Sequence, residues 1–559
     1  MLTIDDVLQL ETFDDFFGSQ FDVDPSGKML AISVHRGTDT ANRYGVPFLA
    51  GGERGCLHLI DLKTGALRQI DAPKGVGLFS PLWSPDGLLI AVAATDGAFV
   101  RPCIVEVASG ELRVLTDRNL ALPAQKHPFH WLSNGELACE LLPEGEFPLL
   151  LDAEYRGATK AMAAWSRAWK GEGATPSVLA SDHPVEAEPD GELCAIDLPK
   201  GKIRAYPDAK GAPEALRAFS QRDKIELLQP PSLDDRLPVF SEKVASHPAT
   251  EQEFYLSRDD VGTRVLRVRS SDVTTIFETD RHLANVAPGK ILTLAFEMQT
   301  GRTAFMRCIL PPDHKEGECR PAIMWVYPGA EMGEKLTAKH RLNHATFFNL
   351  QILAAQGYVV LIPAIPLDEE ARADREVIDC LADAVLPALD AADEAGLIDR
   401  DRVQVMGQSF GGWAVLALLA ETTVFRSGIA MASLSNLIGF HGQFDVRFRY
   451  DDRQSEYLTY SQMCERLWHF PGPPWVYLER YVRNSPVFAV QKISAPLLLF
   501  HGDQDYVPIA QSEEMFSALR RAGKKTEFVR YWGEGHVLTS PANIQDAWSR
   551  IFDWLSRNS

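Results

Sequence analysis

Residues 403–421 read VQVMGQSFGGWAVLALLAE, an apolar strand-like run, a G-x-S-x-G turn centred on Ser409, and a long apolar stretch that follows it. Strand, sharp turn and helix in that order make a nucleophile elbow. Gly407, Gly411 and Gly412 leave room for strand and helix to approach, and the sharp turn puts Ser409 into strained backbone geometry. The hydroxyl is then lifted to the carboxyl end of a sheet, at the positive end of a helix dipole. The motif is short, so its context decides: an amphipathic helix is expected after Ser409 and alternating strands and helices around it.

That alternation is present. From about residue 286, short β-branched runs occur at 321–329, 358–366, 402–408, 427–433, 496–502 and 526–533. Helical stretches separate them, among them the run ending at Gly396, a suitable C-cap. Strands parted by helices imply a mostly parallel, doubly wound sheet covered on both faces. An α/β-hydrolase domain is therefore expected over 286–559.

Upstream the rhythm differs. FDVDPSGKMLAISV (21–34), PLWSPDGLLIAVAA (81–94) and FHWLSNGELACELL (129–142) each carry an aromatic residue, a turn with glycine and an apolar strand. HLIDLKTGALRQI (58–70), CIVEVASGELRVL (103–115) and CAIDLPKGKIRAY (194–206) read as strand, glycine turn, strand. Gly65 and Gly110 lie 45 residues apart, near the length of one four-stranded blade. An N-terminal all-β propeller over 21–285 is expected, with a helical insertion near 150–182 and a short helical segment over 1–20. The alternative all-β arrangement is a sandwich, and the blade count is open.

A chain of 559 residues exceeds a single core, which agrees with two large domains. Its formal charge of −20 argues against a nucleic-acid or anionic-membrane surface. The eight scattered cysteines form no C-x-x-C pair and read as buried thiols of a reducing compartment. The acidic N-terminal stretch does not resemble a signal peptide, and the longest apolar run, 414–420, is too short to span a bilayer. A cytoplasmic protein is expected.

A serine nucleophile needs a base. Among 14 histidines, His536 stands in RYWGEGH, a glycine-flanked loop after a strand and before the C-terminal helical stretch. The order serine, acid, histidine is that of α/β-hydrolases. His501 reads as a structural residue, and His340 and His344, at i, i+4 spacing, as exposed helix surface without a third metal ligand. HGDQDYVP (501–508) offers two acids, Asp503 and Asp505. The chain needs a turn past Gly502 before a carboxylate can reach back to the histidine, which favours Asp505; Asp503 is then a turn or capping residue.

Ser409 in GQSFGGWA, Asp505 in HGDQDYVPIAQSEEMF, His536 in YWGEGH, WVYPGAEMG (325–333) and the WSPDG repeat (83–87) together resemble the prolyl oligopeptidase family of serine peptidases. The resemblance covers nearly the whole chain. It implies a propeller that filters substrates by size, short or unstructured peptide substrates, no cofactor and no metal. It also implies an oxyanion hole built from the Tyr327 hydroxyl and the Phe410 amide. The segment SLSNLIGFHGQF (433–444) would supply an apolar pocket from Leu434, Leu437, Phe440 and Phe444, although core packing explains these residues equally well.

Several features depart from the family pattern. The acid motif is one residue shorter than H-G-x-x-D-x-x-V-P, the loop 364–376 lacks the usual glycine-rich sequence, and residues 439–480 form an unusually long segment before the acid strand. Paired glutamates that would capture a free amino terminus are not evident. A bacterial branch of the family opens lasso peptides, and the chain is compatible with such an isopeptidase. The leading expectation is a serine peptidase acting through an acyl-enzyme. The rivals are a carboxylesterase or isopeptidase with the same triad, and an inactive propeller serving as a binding module.

Overall fold

The computed structural model describes the chain except residues 14–18, 41–51, 123–126, 153–156, 177, 183–190, 207–236, 239, 260–261, 334–339, 345–346, 369–374, 449–459 and 559. Parts of the N-terminal segment, the helical insertion, the loop 364–376 and the long segment 439–480 thus lie outside the described residues. The chain divides into two compact units. One comprises 6–284 with 450–453, and the other 1–5, 285–449 and 454–559.

The first unit is a β-propeller whose described residues form four antiparallel four-stranded sheets. Their strands are Phe21–Val23, Met29–His35, Gly55–Asp61 and Leu67–Gln69; Gly77–Trp83, Leu89–Thr95, Val100–Glu106 and Leu112–Val114; Phe129–Ser133, Glu136–Leu141, Glu192–Asp197 and Lys202–Tyr206; and Ser241–His247, Gln252–Arg258, Thr263–Arg269 and Asp272–Glu278. The aromatic residue of the sequence repeat has a mechanical role. Trp83 donates its indole N–H to the Asp22 carbonyl of the preceding sheet at 3.1 Å, and Trp131 donates to the Leu82 carbonyl at 3.1 Å. Each inter-sheet bond is sealed by its own apolar layer, such as Ala31, Leu57 and Leu59 against Leu78, Ile90 and Val92. The third sheet carries an insertion between its second and third strands, with a helix over Gly157–Trp169. Met162, Trp165 and Trp169 on that helix are exposed.

The second unit is an α/β-hydrolase domain. Its strands are β1 (Lys290–Glu297), β2 (Thr303–Leu310), β3 (Arg320–Trp325), β4 (Val359–Pro363), β5 (Ile398–Gln408), β6 (Gly428–Met431), β7 (Leu497–Gly502) and β8 (Thr526–Tyr531). They form one sheet in the order β1-β2-β4-β3-β5-β6-β7-β8. Pairing is antiparallel up to β4 and parallel beyond it. The hairpin of β1 and β2 is an addition to the strands read from the sequence. Helix α1 (Val377–Glu394) ends where Gly396 turns at φ 66°, closing the helix with Leu397 N–H on the Ala392 carbonyl.

Helix α2 (Phe410–Glu421), expected to be amphipathic, is instead buried on all sides from Phe410 to Ala420. It lies on β5 and β6 and is covered by α1 and by the turn Pro486–Lys492, so no face meets water. Helices α3 (Ala510–Arg521) and α4 (Pro541–Arg557) complete the layers that matter for the site. Seven cysteines are buried and Cys319 is exposed, all of them free. Among the described residues no helix is long and apolar enough to cross a membrane. His340 and His344 sit on a turn rather than a helix, because His340 takes φ 68°, outside helical geometry. No metal-holding group of His, Cys, Asp and Glu occurs among the described residues.

Candidate active site

Ser409 joins β5 to α2 with φ 60° and ψ −122°, a conformation that costs an L-residue energy and is held by its surroundings. Its N–H donates to the Met431 carbonyl at 2.8 Å. The flanking glycines are required by close approach. A Cβ on Gly407 would lie 2.5 Å from the Gly411 carbonyl oxygen, and one on Gly411 would collide with the Val326 carbonyl oxygen. Crowding by backbone, which cannot yield, thus forces the turn that presents the hydroxyl.

Two loops meet the elbow. Asp505, in the loop after β7, is fully buried and accepts from His536 Nδ1 at 2.8 Å and from the Val507 N–H at 2.7 Å, both on Oδ1. Burial alone would push this carboxyl up; the adjacent His536 and the contact from His501 outweigh it and lower it to about 2. Asp503 does not reach the histidine. It accepts the Gly533 N–H at 2.6 Å and so ties the acid loop to the histidine loop. Gln408, next to the serine, donates to the His536 carbonyl at 3.0 Å, which fastens the histidine loop to the elbow.

Tyr327, just past β3, has its phenol beside Ser409, and partial burial raises its pKa, so it stays a protonated donor at neutral pH. Its ring stands edge-on to Phe410 at 6.4 Å. Phe410 is the first residue of α2, where backbone N–H groups have no partner within the helix. A hydroxyl, an imidazole held by a carboxylate, and two donors at one helix N-terminus form an arrangement suited to acyl transfer. Of the apolar quartet, Leu434, Leu437 and Phe440 are buried in the core, with Phe440 stacked on Tyr460 at 4.6 Å, and Phe444 is half exposed.

Three further residues escaped the reading of the sequence, and a fourth, His501, was read only as structural. His501 is buried and lies 3.2 Å from Asp505 Oδ2 through Nε2, whose N–H is better aligned with the Val507 carbonyl at 2.8 Å. Its Nδ1 meets Ser512 Oγ at 2.7 Å, so a second histidine braces the acid. The i, i+4 spacing of His501 and Asp505 was the available signal. Glu534, also buried, accepts from Thr539 N–H, Thr539 hydroxyl, Ser540 N–H and Asn543 side chain at 2.7 to 3.1 Å, pinning the histidine loop to the start of α4. Tyr506 packs its ring 4.2 Å from that of His536, and the Arg447 guanidinium lies 4.8 Å from the Tyr506 ring centre.

Comparison with known proteins agrees with this architecture. The chain is 29% identical over 254 residues to the uncharacterized peptidase YuxL of Bacillus subtilis (strain 168), a match over 44% of this chain and 35% of the relative's length. It is similar in fold to a variant of the AtxE2 isopeptidase with Astexin3-dC4 bound. That likeness has a TM-score of 0.64 at 15% identity and covers 99% of this chain and 95% of the other. The acylaminoacyl peptidase of Pyrococcus horikoshii superposes with a TM-score of 0.60 at 13% identity over 95% of this chain and 94% of that one. The matched segment thus spans about a third of the length of the curated relative. Residues 344–559, which carry the elbow, the acid loop and the histidine loop, match the model of the Prolyl oligopeptidase family.

Proposed function

We propose that the protein is a serine peptidase that hydrolyses peptide bonds of short or unstructured peptides through an acyl-enzyme. Ser409 Oγ attacks the carbonyl carbon while His536 takes its proton; the Phe410 amide and the Tyr327 hydroxyl hold the oxyanion, each donor worth about 2.7–4 kcal/mol in such sites. His536 then protonates the leaving amine, and water repeats the sequence in reverse roles to release the acid. Asp505 keeps His536 in the tautomer that presents Nε2 to the serine. The observation that carries this reading is the strained Ser409 turn with the Asp505–His536 contact of 2.8 Å beside it.

The same reading assigns 21–285 to the propeller and 286–559 to catalysis, and places the protein in the cytoplasm, acting on peptides and not on nucleic acid or membranes. A fluorophosphonate probe tests the core of the proposal: folded protein that leaves Ser409 unlabelled would overturn it. A library of linear peptides, isopeptide-linked peptides and acyl esters, read by mass spectrometry, then separates peptidase from isopeptidase and esterase. Cleavage confined to esters would remove the peptidase assignment.

A further inference from the structure

The hydrogen bond from His536 to Asp505 fixes one atom of the imidazole but not the ring. Rotation about the bond that carries a histidine ring is soft, with broad minima. The bonds from Gln408 to the His536 carbonyl and from Gly533 to Asp503 hold the loop backbone but do not reach the ring. Something else has to stop the ring from swinging. The flat surface next to it is Tyr506, with ring centres 4.2 Å apart and planes tilted by 35°.

Tyr506 is itself held on two sides. Its carbonyl accepts the Tyr460 hydroxyl. The Arg447 guanidinium lies against its ring, and Arg447 is fixed by Asp445. Nε donates to both carboxylate oxygens at 3.0 and 3.1 Å, a terminal nitrogen donates at 2.7 Å, and the Arg447 N–H adds a fourth bond at 3.0 Å. Asp445 is buried. Tyr506 occupies the place where the acid loop is one residue shorter than the family pattern, and Arg447 comes from the long segment before the acid strand. Two departures in sequence therefore meet in one stack.

We propose that Tyr506, braced by the Asp445–Arg447 pair, is a positioning residue that holds the His536 imidazole in line between Asp505 and Ser409. The inference rests on the reading of His536 as the base of Ser409. The other groups near the imidazole are Asp505, with His501 behind it, and Tyr327, which lies beside Ser409 and within electrostatic reach of Tyr506. Glu534 is on the same loop but spends its carboxylate on the start of α4. The guanidinium is within about 9 Å of the imidazole centre, the two ring separations laid end to end. At that range a lone charge moves a titration by roughly 0.3 to 1 pH unit.

The test is the rate of Ser409 labelling by a fluorophosphonate as a function of pH in the full chain. In that reaction the Ser409 Oγ–P bond forms, the P–F bond breaks, fluoride leaves and the serine proton passes to His536, so the rate rises as the imidazole becomes neutral. Tyr506→Ala is expected to slow labelling by about 10- to 100-fold, and Tyr506→Phe to restore most of the rate. Arg447→Met leaves Asp445 uncompensated, favours the imidazolium and moves the midpoint to higher pH. Should Tyr506→Ala fail to fold, Tyr506→Leu keeps the volume without the flat face and carries the same expectation. Folded Ala or Leu variants that label at the native rate, or an Arg447→Met midpoint that does not rise, would overturn the inference. Failure of the native protein to label would instead overturn the assignment of Ser409.

Discussion

Asp503 and Asp505 stand two residues apart, and their surroundings separate them completely. Asp505→Asn should cut turnover by up to about 10⁴-fold, since an amide cannot hold the imidazole in the required tautomer. Asp503→Asn keeps an oxygen for the Gly533 N–H and should leave the rate within a few-fold; the measurement is Ser409 labelling in both variants. Asp505 also makes an acid-stability prediction. Its carboxyl falls from 3.8 to about 2 on folding, so its contribution is complete above about pH 4 and is lost as pH falls toward 2. Urea midpoints between pH 5 and pH 2 should therefore drop less steeply in Asp505→Asn than in the native chain. The residue itself was legible because spacing from His501 and Gly502 survives in this sequence. His501 was not, because a histidine at the end of a strand looks the same whether it braces a carboxylate or fills a core, and only the folded loop brings Nε2 beside Oδ2.

Among the elements, the loop from Gly533 to Ser540 depends on one buried carboxylate. Glu534 neutralises the positive end of α4 and closes four hydrogen bonds, so Glu534→Ala is expected to cost about 3 kcal/mol and to loosen the His536 loop. Denaturant midpoints give the first effect, and amide hydrogen exchange over 533–538 gives the second. A retained midpoint would show that the bonds are replaced by water. Nothing in GEGH marks this glutamate, since its partners lie five to nine residues on, in a stretch that reads as an ordinary loop. The elbow was the opposite case, because its glycines report backbone contacts directly. Gly411→Ala should prevent the turn from closing and abolish soluble, labelled protein. Helix α2 was misjudged as amphipathic, although apart from Glu421 at its end it carries no polar side chain, the pattern of a helix covered on every side. The hairpin of β1 and β2 escaped notice because its alternation resembles the propeller strands before it, with no helix to mark a change of architecture.

At the scale of the whole molecule, each unit has its own core. That of the hydrolase unit is one continuous cluster from Phe296 to Leu519, whereas the propeller is sealed by separate layers between consecutive sheets. Trp131→Phe removes one inter-sheet hydrogen bond and should cost the propeller about 1–2 kcal/mol, a few degrees in its calorimetric transition, with Ser409 labelling at 25 °C unchanged. Loss of labelling at that temperature would show that the site depends on this sheet contact. The propeller was readable because its repeat carries a tryptophan whose bond recurs from sheet to sheet. The blade count was not, and residues 207–236 lie outside the described residues.

The elbow also has a practical side. The turn is enforced by glycines and by the Ser409 backbone, and the Ser409 side chain takes no part in building it. A Ser409→Ala chain should therefore keep the shape of its recognition surface while being unable to release what it recognises through bond cleavage. Such a chain, immobilised as bait in an extract and eluted into a mass spectrometer, offers a way to let the cell name the natural ligand.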